Sequence, residues 1–135
     1  MVKSSSRALL TATALIELGA GLALLALPSL SATLLVGAPL DTPIGLVVAR
    51  MAGVALLSLG IACWLARDDA ASRSVRALVA AMLFYNVGVA AVLLHARMGF
   101  GLDGVGVWPV VFLHAALAIW CVICLRNTRA GPASG

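Results

Sequence analysis

Residues 8–27 read ALLTATALIELGAGLALLAL, an apolar stretch of about 20 residues that contains a single charge, Glu17. Residues 44–66 form a second stretch, IGLVVARMAGVALLSLGIACWLA, again with a single charge, Arg50. Each stretch is long enough to cross the hydrocarbon core of a bilayer as an α-helix. Two further stretches of this kind lie at residues 77–96 and 108–125. The sequence therefore predicts an all-α integral membrane protein, an antiparallel bundle of four helices.

The composition supports this class. Of the 135 residues, 63% are hydrophobic and 10% are charged, whereas soluble domains average about 45–50% and about 25%. The apolar excess must face lipid, and residues 1–135 are expected to form one transmembrane domain. The basic residues form no run and have no interleaved aromatic residues, which argues against nucleic-acid binding. The preference for Arg over Lys, with many Ala and Leu residues, resembles a high-GC bacterial genome and predicts a bacterial inner membrane.

The connections predict a short helix and an orientation. Residues 29–37 place Leu30, Leu34 and Leu35 on one side, as in a helix that lies at the membrane interface. Lys and Arg in short loops favour the cytoplasmic side. On one side of the predicted bundle they are Lys3, Arg7, Arg67, Arg73, Arg76, Arg126 and Arg129, and on the other side there is only Arg97. Both termini are therefore predicted to be cytoplasmic.

Each predicted span carries polar residues at middle or outer depth. At 1.5 Å per residue, Glu17 lies near the midplane of the first span and Arg50 is ~9 Å inside the second. Tyr85 and Asn86 fall near the midplane of the third span, and His114 is near the level of Arg50. These five residues are predicted to form a polar cluster, with an ion pair between Glu17 and Arg50. A purely structural cluster, a ligand site and a proton or ion path all remain open.

Other polar groups give weaker signals. His95 and His114 lie at different depths, which suits a single haem poorly, and no metal site is predicted. Cys63, Cys121 and Cys124 lie inside spans, where cysteine behaves as a small hydrophobic residue, and a redox role for them stays open. No pairing of a nucleophile with a base is evident, so an enzyme is not favoured.

Gly45, Ala49 and Gly53 recur at intervals of four residues on the second span. Such a stripe of small residues lets helices approach closely. It indicates tight packing, either within the bundle or between copies of the chain, so a homo-oligomer or a partner in a membrane complex remains open.

Two segments resemble small bacterial four-helix membrane proteins of the DoxX-like kind. One is ELGAG from Glu17, followed by Pro28 and by LVGAP at residues 35–39; the other is RMAGVALLSLG at residues 50–60. The resemblance implies the four-helix architecture, and some such proteins are associated with quinone-linked thiosulfate oxidation. It implies no catalytic residue for this chain.

These features predict a membrane protein that binds a small amphiphile, such as a quinone or a lipid, or serves as an accessory membrane subunit. The alternative is a small proton-coupled exporter of drugs or cations that uses Glu17. Residues 14–21, ALIELGAG, are similar to the first helix of the small multidrug resistance family, in which a glutamate binds protons and cations. Two features depart from that family. Arg50 would neutralise the carboxylate of Glu17, which such an exporter needs free. The strong bias of basic residues to one side also opposes the dual topology, insertion in both orientations, that many of those proteins adopt.

Overall fold

The computed structural model describes residues 2–69 and 72–127, which within those ranges form five α-helices and no β-strand. The helices are α1 (Val2–Ala26), α2 (Pro28–Val36), α3 (Pro43–Ala66), α4 (Arg73–Phe100) and α5 (Val107–Asn127). All except α2 are long and apolar enough to cross a membrane. The prediction of an all-α four-helix protein is therefore confirmed. Arg129, used above to predict orientation, lies outside the described residues, as does the side chain of Lys3.

The short helix predicted at residues 29–37 is present as α2. It begins at Pro28, which suits a first turn because the missing N–H would have no partner there. Gly37 ends it in the left-handed conformation, with φ of 79°. The N–H of Gly106 donates to the carbonyl of Leu34 at 2.8 Å, so the loop before α5 is held against α2. The helix contacts α1, α3, α4 and α5 and closes one end of the bundle.

Two long helices begin with a side-chain cap. The hydroxyl of Thr42 accepts a hydrogen bond from the N–H of Gly45 at 3.1 Å, at the start of α3. Ser72 caps α4 in the same way, accepting from the N–H of Val75 at 3.1 Å. Because of this cap, α4 begins four residues earlier than the apolar stretch alone predicted.

Glycines bring α1 and α3 into close contact. A Cβ atom on Gly21 would lie 2.8 Å from the carbonyl oxygen of Gly53, and one on Gly53 would lie 2.9 Å from the carbonyl oxygen of Gly21. Further along, a Cβ atom on Gly60 would lie 3.1 Å from the carbonyl oxygen of Ala14. The contacts run in opposite directions along the two helices, which are therefore antiparallel. Gly53, a member of the predicted stripe, thus packs within the chain.

The bundle consists of two helix pairs. α1 packs along α3 and α4 packs along α5, while contacts between α1 and α5 join the pairs. A larger apolar cluster fills one end, and a smaller one lies at the α2 end. Large apolar side chains cover the outside, with Phe84 83% and Ile44 79% exposed. Such a surface is that of a protein in contact with lipid.

We expect Gly21→Ala to destabilise the bundle, whereas Gly19→Ala, two residues away on the same helix, does not. A methyl group on Gly21 would meet backbone atoms of α3, while nothing lies within 4 Å of one on Gly19. Overpacking costs about 1–3 kcal/mol, and relief of glycine flexibility gains up to about 1 kcal/mol. Thermal unfolding of both variants in detergent measures the difference. Equal melting temperatures would contradict the close contact.

Candidate functional site

A cavity of about 510 Å³ lies between the two helix pairs, beneath α2. All five helices contribute to its wall, which is largely apolar. The apolar residues include Ile16, Ala20, Leu24, Leu35, Leu56, Val89, Leu93 and Val110. Its polar side chains are Glu17, Tyr85 and His114, and on α2 Ser31. A mainly apolar pocket with a few convergent polar groups is typical of small-molecule sites.

The carboxyl group of Glu17 lies in the interior and is only partly hydrogen-bonded. Glu17 follows Leu10 and Ala14 on the inner face of α1, and its exposed fraction is 1%. The hydroxyl of Tyr85 donates to Oε2 of Glu17 at 2.9 Å. Among the described residues, Oε1 has no hydrogen-bond partner. A buried carboxyl oxygen without a donor is unusual in folded proteins and is a feature that a ligand could complete.

His114 and Asn86 form a second polar pair beside the first. Nδ1 of His114 lies 2.7 Å from Oδ1 of Asn86, and Nδ2 of Asn86 donates to the carbonyl of Met82 at 2.7 Å. The imidazole ring also contacts the ring of Tyr85 edge to face, with centroids 5.6 Å apart. Tyr85 therefore connects Glu17 to His114, and four of the five predicted cluster residues lie together.

Arg50 does not join this cluster, and the predicted ion pair with Glu17 is wrong. Gly60 packs against Ala14 and Leu18, so Glu17 is near the level of Gly60. Arg50 lies ten residues earlier on α3, which corresponds to ~15 Å along the axis. It also directly follows the buried Ala49, which turns it about 100° away from the inner face. The side chain is exposed.

The remaining candidate ligands lie outside the cavity lining. Among the described residues, no group of three or more His, Cys, Asp or Glu side chains could hold a metal ion. His95 is exposed and its ring contacts Phe100 edge to face at 5.4 Å. Cys63, Cys121 and Cys124 are buried free thiols in the larger apolar cluster, away from the cavity lining.

The sequence did not indicate the apolar wall of the cavity or the part that α2 plays in closing it. Ala52 and Leu56 of α3, and Leu35 and Val36 of α2, belong to this wall. Their residue types are the same as those that face lipid elsewhere in the chain. Only the spatial arrangement of the helices distinguishes them.

Comparisons with known proteins gave no match: no protein-family model, no curated protein and no solved structure is significantly similar to this chain.

Double-mutant cycles test which residue partners Glu17. We expect Glu17→Leu and Tyr85→Phe to be coupled by about 0.5–3 kcal/mol, because the two side chains share a hydrogen bond. Glu17→Leu and Arg50→Leu should be additive within about 0.5 kcal/mol, because their side chains do not meet. Unfolding of the single and double variants in detergent gives both coupling energies. Strong coupling between positions 17 and 50 would show that Glu17 and Arg50 form an ion pair after all.

Proposed function

We propose that this protein binds a neutral amphiphile from the bilayer, with the polar group of the ligand beside Glu17, Tyr85 and His114. The observation that carries the proposal is the cavity of about 510 Å³, whose apolar wall ends at a buried carboxyl with one oxygen that has no partner among the described residues. A neutral lipid or a quinone belongs to this ligand class, and a role as an accessory membrane subunit is compatible with it. We also propose that the protein is related to DoxX-like proteins. It would lie in a bacterial inner membrane with both termini in the cytoplasm.

The charge of the site favours a neutral polar group. No Lys or Arg side chain belongs to the described lining, and Arg50 is exposed on another face of α3. An anionic head group, such as a phosphate, would therefore lie beside the carboxyl of Glu17 without a cation. Placing a charge at bilayer depth without a partner is costly. Phospholipid head groups are thus poor ligands for the inner end of the cavity.

The ligand is proposed to enter sideways from the lipid. Within the described residues, α3 and α4 are not among the helix pairs that pack along each other. The cavity is therefore not closed by helix packing between them. A shallower apolar depression of about 390 Å³ runs along α4 beside Gly88. Tyr85, Val89 and Leu93 line both spaces, so a hydrocarbon tail can continue from the cavity into the bilayer.

Photo-crosslinking tests the location of the site. A long-chain alcohol with a diazirine in its chain, added to the protein in lipid nanodiscs, should label residues that line the cavity. Ala52→Phe should reduce this labelling at least about tenfold, because the new ring occupies the cavity. Ala55→Phe is the matched control: it lies on the same helix and is also exposed, but does not line the cavity. Equal labelling in the two variants would overturn the proposed site.

A second candidate function is a proton-coupled exporter that uses Glu17. The observation that favours it is the separation of Arg50 from Glu17, which leaves the carboxyl without the neutralising cation expected from the sequence. A carboxyl in a membrane cavity can exchange a proton for a hydrophobic cation.

Proton release distinguishes the two functions. If the exporter hypothesis holds, tetraphenylphosphonium added to weakly buffered, detergent-solubilised protein should release up to about one proton per chain. Glu17→Gln should abolish that release, because the amide has no proton to exchange. For a binder of neutral amphiphiles we expect no proton release with either protein. Release that persists in Glu17→Gln would exclude Glu17 as the exchanging group.

A further inference from the structure

We infer that the site recognises its ligand through a hydroxyl group, which donates its hydrogen to Nε2 of His114. This inference rests on the proposed function and adds the chemical class of the polar group. It follows from the direction of the hydrogen bonds that end at His114.

The contacts of the Asn86 amide fix its orientation. The carbonyl of Met82 can only accept a hydrogen bond, so the group of Asn86 that faces it at 2.7 Å is the NH₂. Oδ1 of Asn86 therefore faces His114. Because this oxygen can only accept, Nδ1 of His114 must carry the hydrogen in their 2.7 Å contact. The buried amide thus selects one tautomer of the imidazole.

The other ring nitrogen of His114, Nε2, is left without a hydrogen. With the hydrogen on Nδ1, a neutral His114 has a lone pair on Nε2, which acts as an acceptor. Among the described residues, no hydrogen bond reaches Nε2, and the ring lines the cavity. The ring is buried, with an exposed fraction of 6%. An imidazolium here would be a charge without a hydrogen-bonded counter-ion, which is costly in apolar surroundings.

Glu17 supplies a second polar group beside Nε2 of His114. Oε1 of Glu17 also has no hydrogen-bond partner among the described residues, and Glu17 lines the same cavity. This oxygen accepts when the carboxyl is ionised and can carry a hydrogen when it is protonated. A hydroxyl group has one hydrogen to donate and lone pairs that accept, so it can donate to Nε2 of His114 and accept from Oε1 of Glu17 when the carboxyl is protonated. Carbonyl and ether oxygens only accept, and would leave the lone pair of Nε2 unpaired.

Competition against the photoreactive alcohol tests the inference. The competitors are oleyl alcohol, its methyl ether and the corresponding aldehyde, which share one chain and are compared at equal mole fractions in nanodiscs. Leaving a buried acceptor unpaired costs a factor of about ten or more in affinity. Oleyl alcohol should therefore reduce labelling at a mole fraction about tenfold lower than the ether or the aldehyde requires.

Two variants examine the role of the tautomer. His114→Phe removes the acceptor, so the alcohol and the ether should compete equally. Asn86→Leu keeps the imidazole but releases its tautomer, so Nε2 can donate to an ether or a carbonyl, and the preference for the alcohol should fall. Because Asn86 is absent from the cavity lining, this variant changes the ratio of affinities without filling the site.

The outcomes separate the two proposals. A preference of the wild type for the alcohol that both variants reduce supports the inference. Equal competition by all three compounds in the wild type would overturn the hydroxyl preference while leaving the proposed function in place. Absence of competition by any compound, together with absence of labelling in the cavity, would overturn both.

Discussion

The contact between Gly21 and Gly53 determines how the rest of the bundle is arranged. Because neither residue has a side chain, the backbones of α1 and α3 approach closely and fix the rotation of both helices. Glu17 lies on the same helix as Gly21, so its direction is fixed by the same contact. Had larger residues separated α1 from α3, the two helix pairs would close on each other differently. The cavity is thus a product of close packing elsewhere in the molecule.

The polar groups of the site form a short sequence of directed hydrogen bonds. Met82 accepts from Asn86, Asn86 accepts from His114, and Tyr85 donates to Glu17. Each of these bonds satisfies a group that could not find water in a membrane interior. These bonds leave two atoms without a partner among the described residues, Oε1 of Glu17 and Nε2 of His114, and both residues line the cavity. Fixed donors and acceptors in apolar surroundings favour ligands of matching polarity over ligands of matching size.

Most of the fold could be predicted from the sequence because long apolar stretches have few alternatives to a membrane-spanning helix. Asn86 and His114, two members of the predicted cluster, are hydrogen-bonded to each other, which fits the expectation that a polar side chain in lipid needs a partner. Arg50 was placed wrongly for a physical reason. Depth was inferred from each span separately, whereas pairing also depends on the register and rotation of α3 against α1. Those are set by the contact of Gly21 with Gly53; the stripe of small residues indicated close packing at Gly53 but not which helix packs there.

The length of α4 connects the site to the membrane around it. This helix has 28 residues, so it is ~42 Å long, whereas the hydrocarbon core of a bilayer measures about 30 Å. The apolar stretch of α4, residues 77–96, is ~30 Å long and matches the core, so the ends of the helix, which carry Arg73, Arg76 and Arg97, extend into the head groups. α4 also forms one side of the gap beside α3. If the ligand enters between α3 and α4, as proposed, a thinner or thicker bilayer would change the tilt of α4 and with it the width of that entrance.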